Sequence, residues 1–212
     1  MTETNPTIAP AKNGPLLVKH LTRFRDAKGA EIAAKETMAL CRCGQSANKP
    51  FCDGTHAKVG FSDDKSSERV PDRRDDYVGA AITIHDNRGA CAHAGICTDQ
   101  LKSVWRMGVE PWIDPDGAAV EAIVETIRQC PSGALSYTLE RVEHRDLEGP
   151  PAIQVTKDGP YHVSGGVALS TEPWSEGCSR EHYALCRCGH SKNKPFCDGS
   201  HWAAEFTDPG TK

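Results

Sequence analysis

Six of the ten cysteines in this chain fall into two copies of one spacing, each closed by a histidine. Cys41 and Cys43 flank one residue, Cys52 follows, and His56 completes the set; Cys186, Cys188, Cys197 and His201 repeat it. Three thiolates and an imidazole suit a soft, thiophilic metal centre. Structural zinc also accepts three cysteines and a histidine, although zinc modules generally separate their first two cysteines by about two to four residues. Gly44, Gly54, Gly189 and Gly199 supply tight turns beside the ligands. Pro50 and Pro195 stiffen the approach to the third cysteine of each set.

The elements that position these residues are themselves repeated. Residues 39–56 read ALCRCGQSANKPFCDGTH and residues 184–201 read ALCRCGHSKNKPFCDGSH, an offset of 145. The match continues outward: Gly14-Pro15 maps onto Gly159-Pro160, Val18 onto Val163 and Phe61 onto Phe206. The repeat is thus a module of about fifty residues. Short β-compatible runs, Pro15–Val18 and Tyr161–Val163, precede each motif. A module of this size buries little apolar surface alone, so the two copies are expected to pack together about a pseudo-twofold axis.

The motif C-x-C-x₂-S-x₃-P-x-C-D-G-[ST]-H resembles the signature of the CDGSH iron–sulfur family, which includes mitoNEET. It is met by Cys41, Cys43, Ser46, Pro50, Cys52, Asp53, Gly54, Thr55 and His56, and again by Cys186, Cys188, Ser191, Pro195, Cys197, Asp198, Gly199, Ser200 and His201. The resemblance implies two [2Fe–2S] clusters. It places Cys41 and Cys43 on the inner iron of the first cluster, Cys52 and His56 on the outer one, with the second copy equivalent. Single-motif members pair as homodimers, so one chain with two motifs is expected to form the whole unit as a monomer. Exchanging a thiolate for neutral imidazole generally raises a cluster's potential, and protonating that imidazole competes with the metal.

Between the copies the character changes. Residues 63–76 are polar and charged, and Asp72-Arg73-Arg74-Asp75-Asp76 mixes signs as a solvated linker does. A strand at Ala80–Ile84, a helix from Thr98 (as N-cap) to Met107, an amphipathic helix carrying Val120, Ile123, Val124 and Ile127, and a strand at Ala134–Thr138 are expected. Cys91-Ala-His-Ala-Gly-Ile-Cys97, followed later by Cys130-Pro131, resembles a single-cluster bacterial ferredoxin in which Ala94 stands where the middle cysteine would be. The resemblance implies a third cluster on Cys91, Cys97 and Cys130. That centre is a [3Fe–4S] cluster in the first reading, and a [4Fe–4S] cluster with His93 as fourth ligand in the alternative. Cys178 aligns with Ala33 and is expected to be a free thiol.

The organisation expected is a flexible arm at 1–13, CDGSH modules at 14–62 and 151–212, a linker at 63–76 and a ferredoxin-like domain at 77–146. The fold class is small, loop-rich α+β, with β-rich modules. A net charge of −4 argues against nucleic acid as a partner. No run approaches the roughly 20 apolar residues that span a bilayer, and the polar start of the chain lacks a secretory h-region. Cysteines grouped as ligands point to a reducing cytoplasm. With neither a dinucleotide fingerprint nor a nucleophile motif, electron transfer with protein redox partners is expected, without catalysis of the chain's own. Cluster or iron delivery to apo-acceptor proteins, redox sensing and a zinc-stapled interaction module are the other readings.

Overall fold

The structure, a computed structural model, describes residues 5–171 and 174–211. It is a small, mixed α/β, sheet-rich chain with few helices. In chain order the first part holds β1 (Thr7–Pro10), β2 (Leu16–Lys19), β3 (Arg23–Arg25), β4 (Thr37–Leu40) and α1 (Thr55–Lys58). The middle holds β5 (Arg74–Val78), β6 (Ile82–Asn87), α2 (Ile96–Gln100), α3 (Val120–Ile127), β7 (Leu135–Leu139) and β8 (Val142–His144). The last part holds β9 (Ala152–Val155), β10 (Tyr161–Ser164), β11 (Ala168–Leu169), β12 (Tyr183–Leu185) and α4 (Ser200–Ala203).

Three four-stranded sheets result, and two of them mix strands from both ends of the chain. Their orders are β11-β1-β2-β4 and β12-β10-β9-β3. β1 pairs in parallel with β11 through Thr7 opposite Ala168. β3 pairs in parallel with β9 through Arg23 opposite Ala152. Alternation fixes which side chains enter: Leu16 and Val18 of β2 are buried while Leu17 and Lys19 point out. One apolar cluster therefore draws Ile8, Leu16, Val18, Phe24 and Leu40 from one end of the chain, and Ile153, Val155, Tyr161, Val163 and Leu185 from the other. The arginine between the paired cysteines is buried in each copy. Arg42 donates to Gly14 O at 2.7 Å and pairs with Asp63 at 2.8 Å; Arg187 donates to Gly159 O at 2.8 Å and pairs with Asp208 at 2.7 Å.

The third sheet, β5-β6-β7-β8, backs the middle domain. Ile82 and Ile84 pack with Ile123 and Ile127 of α3 and with Trp105 and Ile113. The apolar stripe of α3 faces this core as its spacing predicts.

Several expectations need correction. Of the arm expected at 1–13, the described part from residue 5 is not free: β1 lies within it, hydrogen-bonded to β2 on one side and β11 on the other. Asp63 and Arg74, read as linker, are engaged, Asp63 by the buried Arg42 and Arg74 by β5. The helix placed at 98–107 is the shorter α2, which begins after a left-handed Gly95 and ends at Leu101. Beyond it Trp105 bridges to Ile113, and both are buried, so the chain turns back into the core where the helix was expected to continue. The first strand of the middle domain is displaced to 82–87, and β5 and β8 add strands on either flank.

Candidate metal centres

Each of the two repeated sites is built from two pairs of donors. Cys41 and Cys43 place their sulfurs 3.7 Å apart, and Cys186 and Cys188 place theirs 3.8 Å apart. Two thiolates at neighbouring corners of a tetrahedron around an ion at about 2.3 Å stand about 3.8 Å from each other. The second pair sets Cys52 Sγ 3.3 Å from His56 Nδ1, and Cys197 Sγ 3.5 Å from His201 Nδ1. Nδ1 is therefore the ring nitrogen turned toward the sulfur. Among the described residues no three His, Cys, Asp or Glu side chains gather around a single point. Each pair has the spacing of two neighbouring ligands on one metal ion.

The local backbone follows from the motif residues that are not ligands. Ser46 Oγ donates to Phe51 O at 2.7 Å and accepts from Asn48 N at 3.0 Å; Ser191 does the same with Phe196 and Asn193 at 2.6 and 3.0 Å. Asp53 accepts from Thr55 N at 3.0 Å and Ala47 N at 2.8 Å, and Asp198 from Ser200 N at 3.0 Å and Lys192 N at 2.7 Å. These carboxylates clamp the ligand loop to the first turn of α1 and α4. Hydrogen bonding with Thr55 holds the Asp53 carboxyl well below its ordinary range. The third cysteine of each set is anchored by backbone bonds, Cys52 N to Ala39 O at 2.8 Å and Cys197 N to Ala184 O at 2.9 Å.

The two sites meet through their loops. A side chain at Gly189 would place its Cβ 2.6 Å from Cys43 O, and one at Gly44 would collide with Cys188 O. Both glycines have positive φ, 77° and 88° respectively for Gly44 and Gly189, so both turn and approach require them. Tyr161, from the second module, donates its hydroxyl to Cys41 O at 2.7 Å.

Cys91, Cys97 and Cys130 line one cavity of about 410 Å³, its open mouth included, together with Asp86, Arg88, His93 and Trp112. Cys91 follows a 3₁₀ turn at Arg88–Ala90, Cys97 sits in the first turn of α2, and Cys130 follows α3. Burial raises the Cys91 thiol to about 12 and the Cys97 thiol to about 11, and Cys43 is likewise pushed up to about 11 by burial. Thiolates at these positions would need a bound cation to offset that cost. His93, the alternative fourth ligand, is exposed; its ring lies against Gly199, and its N–H donates to Cys91 Sγ at 3.4 Å. Cys178 is a buried free cysteine whose thiol burial holds far above its ordinary range.

Sequence reasoning did not single out Tyr161, Asp86 or Trp202. Trp202 had a readable signal, because the aligned residue in the first copy is Ala57.

Paired thiolate and imidazole donors, twice over, with a third cysteine cavity between them, define an iron–sulfur-binding protein. Residues 13–57 and 158–202 each match the family model described as an iron-binding zinc finger of CDGSH type, and residues 77–140 match a divergent 4Fe–4S mono-cluster model. The chain belongs to the CDGSH family, as a tandem member with a 4Fe–4S mono-cluster domain between its two copies. The YjdI proteins of Escherichia coli strain K12 and of Escherichia coli O157:H7 are each 38% identical to it over 61 residues, 29% of this chain and 80% of theirs. No solved structure matches the chain. For the middle centre, the description of the matching family favours the alternative of a four-iron cluster over the three-iron cluster read first.

Proposed function

We propose that this chain is an electron-transfer protein carrying two [2Fe–2S] centres, on Cys41, Cys43, Cys52 and His56 and on Cys186, Cys188, Cys197 and His201, with a third cluster on Cys91, Cys97 and Cys130. The observation that carries the reading is the division of each repeated site into two donor pairs, two thiolates 3.7–3.8 Å apart and a thiolate with an imidazole nitrogen 3.3–3.5 Å apart. Two metals with two protein ligands each account for that division. When bound, such clusters supply one-electron chemistry. The chain's part is to hold the sulfurs and Nδ1 atoms in place, to keep water from most of them by burial, and to position three centres in one molecule.

Modules at 14–62 and 151–212 act as a pseudo-twofold pair, with 77–146 as the inserted cluster domain. The reciprocal registers support this, since Thr7–Ala168 and Arg23–Ala152 are the same pairing carried across the 145-residue repeat offset. The unit works as a monomer in the cytoplasm, as a carrier for protein redox partners and without catalysis of its own. It needs neither nucleic acid nor membrane.

Delivery of a cluster to apo-acceptor proteins is the second reading, and one observation favours it. Cys52 and His56 are partly exposed, whereas Cys197 and His201 are 3% and 5% exposed. A cluster held by exposed ligands is within reach of an acceptor's thiols.

The test is the visible spectrum of freshly purified protein with iron, sulfide and zinc assayed on the same sample. A red-brown protein with sulfide and about seven to eight irons supports the reading. A colourless protein with about two zinc ions and no sulfide refutes it in favour of a structural zinc module. Mixing the holo-protein with an apo-ferredoxin then separates the two iron–sulfur roles, because only delivery moves the cluster.

A further inference from the structure

A four-iron centre has one more iron than the middle domain has cysteines to hold it, and the cavity contains a donor that cysteine spacing does not reveal. Asp86 lies on β6 two residues beyond Ile84 and four beyond Ile82, on the face that those side chains bury in the middle core. Where that face reaches the cavity lined by Cys91, Cys97 and Cys130, the isoleucines give way to a carboxyl group. Asp86 is 2% exposed, and its Oδ2 has no hydrogen-bond partner among the described residues. A buried polar oxygen without a partner is rare and costly in a folded protein, and one that faces a cavity lined by thiols is placed to meet a bound metal.

The other groups around the cavity leave this oxygen unclaimed. Arg88 turns its guanidinium over the Trp112 ring at 4.7 Å and toward Cys91 Sγ at 3.6 Å. Ser132 Oγ lies 3.6 Å from Cys130 Sγ. His93 also lines the cavity, but it is exposed, its ring packs on Gly199, and its carbonyl accepts from Trp202 Nε1 at 3.1 Å.

We propose that Asp86 is the fourth protein ligand of the middle centre, completing a three-cysteine, one-carboxylate set with Cys91, Cys97 and Cys130. The inference rests on the reading of residues 77–146 as a cluster-binding domain. A carboxylate is a harder ligand than a thiolate, so one iron of the four is held less firmly than the other three. That iron is the one a chelator removes first.

Iron counting and electron paramagnetic resonance on anaerobically purified protein test this, with Asp86→Asn, Asp86→Cys and His93→Ala beside the parent. The parent and His93→Ala are expected to hold about eight irons, and Asp86→Asn about seven with the signal of a three-iron centre. Asp86→Cys is expected to keep about eight and to resist the chelator that strips one iron from the parent. Retention of both [2Fe–2S] signals reports that each variant is folded; if Asp86→Asn fails that check, the chelator resistance of Asp86→Cys decides. The proposal is overturned if Asp86→Asn keeps the parent's iron count and spectrum, if His93→Ala is the variant that loses an iron, or if Asp86→Cys is stripped as the parent is. A parent with no sulfide removes the iron–sulfur reading as a whole. A parent with intact [2Fe–2S] signals and a three-iron or absent middle centre removes this proposal alone.

Discussion

The indole N–H of Trp202 donates to the carbonyl of His93 at 3.1 Å, tying the helix that carries His201 to the loop that carries Cys91. Around this bond Ala92 packs with Ala184 and Cys197, and the His93 ring lies against Gly199. Among the described residues the first module has no such cover. Ala57 stands in place of Trp202, and nothing lies within 4 Å of the position a Gly54 side chain would take. Two sites with identical ligands therefore differ in their shelter, because the middle domain leans on one of them.

This asymmetry predicts two rates of cluster loss. With a chelator at neutral pH, the absorbance of the two [2Fe–2S] centres, followed apart from that of the middle centre, is expected to decay in two phases differing about tenfold, equivalent to about 1.4 kcal/mol of local opening. The fast phase belongs to the first site. Trp202→Phe, which lacks the N–H donor, accelerates only the slow one. A single phase for both sites would show that the contact protects nothing.

The glycines before the two histidine helices separate strain from contact. Gly54 and Gly199 have φ of 86° and 83°, so alanine at either costs about 1 kcal/mol of left-handed strain. At Gly199 the new Cβ also lies 2.8 Å from three His93 atoms, and at Gly54 it meets open space. Gly199→Ala is thus expected to destabilise the protein by at least about 1 kcal/mol more than Gly54→Ala in calorimetric unfolding. Equal losses would mean that the loop at His93 yields freely.

Tyr161→Phe tests the link from the second module to the first site. The buried hydroxyl donates to Cys41 O at 2.7 Å and lies 3.0 Å from Pro50 O. Its removal is expected to cost about 1 kcal/mol, lowering the Tm by a few degrees, and to speed chelator attack on the first cluster. Unchanged melting would show that water replaces the hydroxyl.

Asp63 gives a pH-dependent contribution. Its partial burial opposes ionisation, but hydrogen bonds from Arg42 and Lys12 outweigh it and hold the carboxyl at about 2. The native value lies below that of the unfolded chain, about 4. The stabilisation is therefore complete well above pH 4, and it fades as pH falls through 4 toward 2. Asp63→Asn is expected to cost about 2 kcal/mol in urea unfolding at pH 7 and markedly less at pH 3. An equal loss at both would show that the carboxylate charge plays no part.

That these cysteines and histidines sit side by side was legible, because Cys-x-Cys and Cys-x-x-x-His are local in sequence. So was the stripe of α3. The partnership of β3 with β9 and of β1 with β11 was not, because backbone pairing leaves no side-chain signature: Arg23-Phe-Arg and Ala168-Leu have nothing in common. The overlong helix at 98–107 came from apolar residues that serve the core through Trp105 and Ile113 after the chain has turned. Asp86 had a faint signal, a charged residue continuing the alternation of Ile82 and Ile84.

The crossing of β3 and β11 between sheets also bears on how the chain is made. Ligands for the first site are complete once His56 has been synthesised, but the sheet beside it lacks its edge strand until Leu169 emerges. A nascent or truncated chain exposes the open side of β1 and has no Tyr161 to fix Cys41. Finished geometry at the first site thus waits for residues more than a hundred positions further along the chain, so the strand exchange couples the first site to the second module.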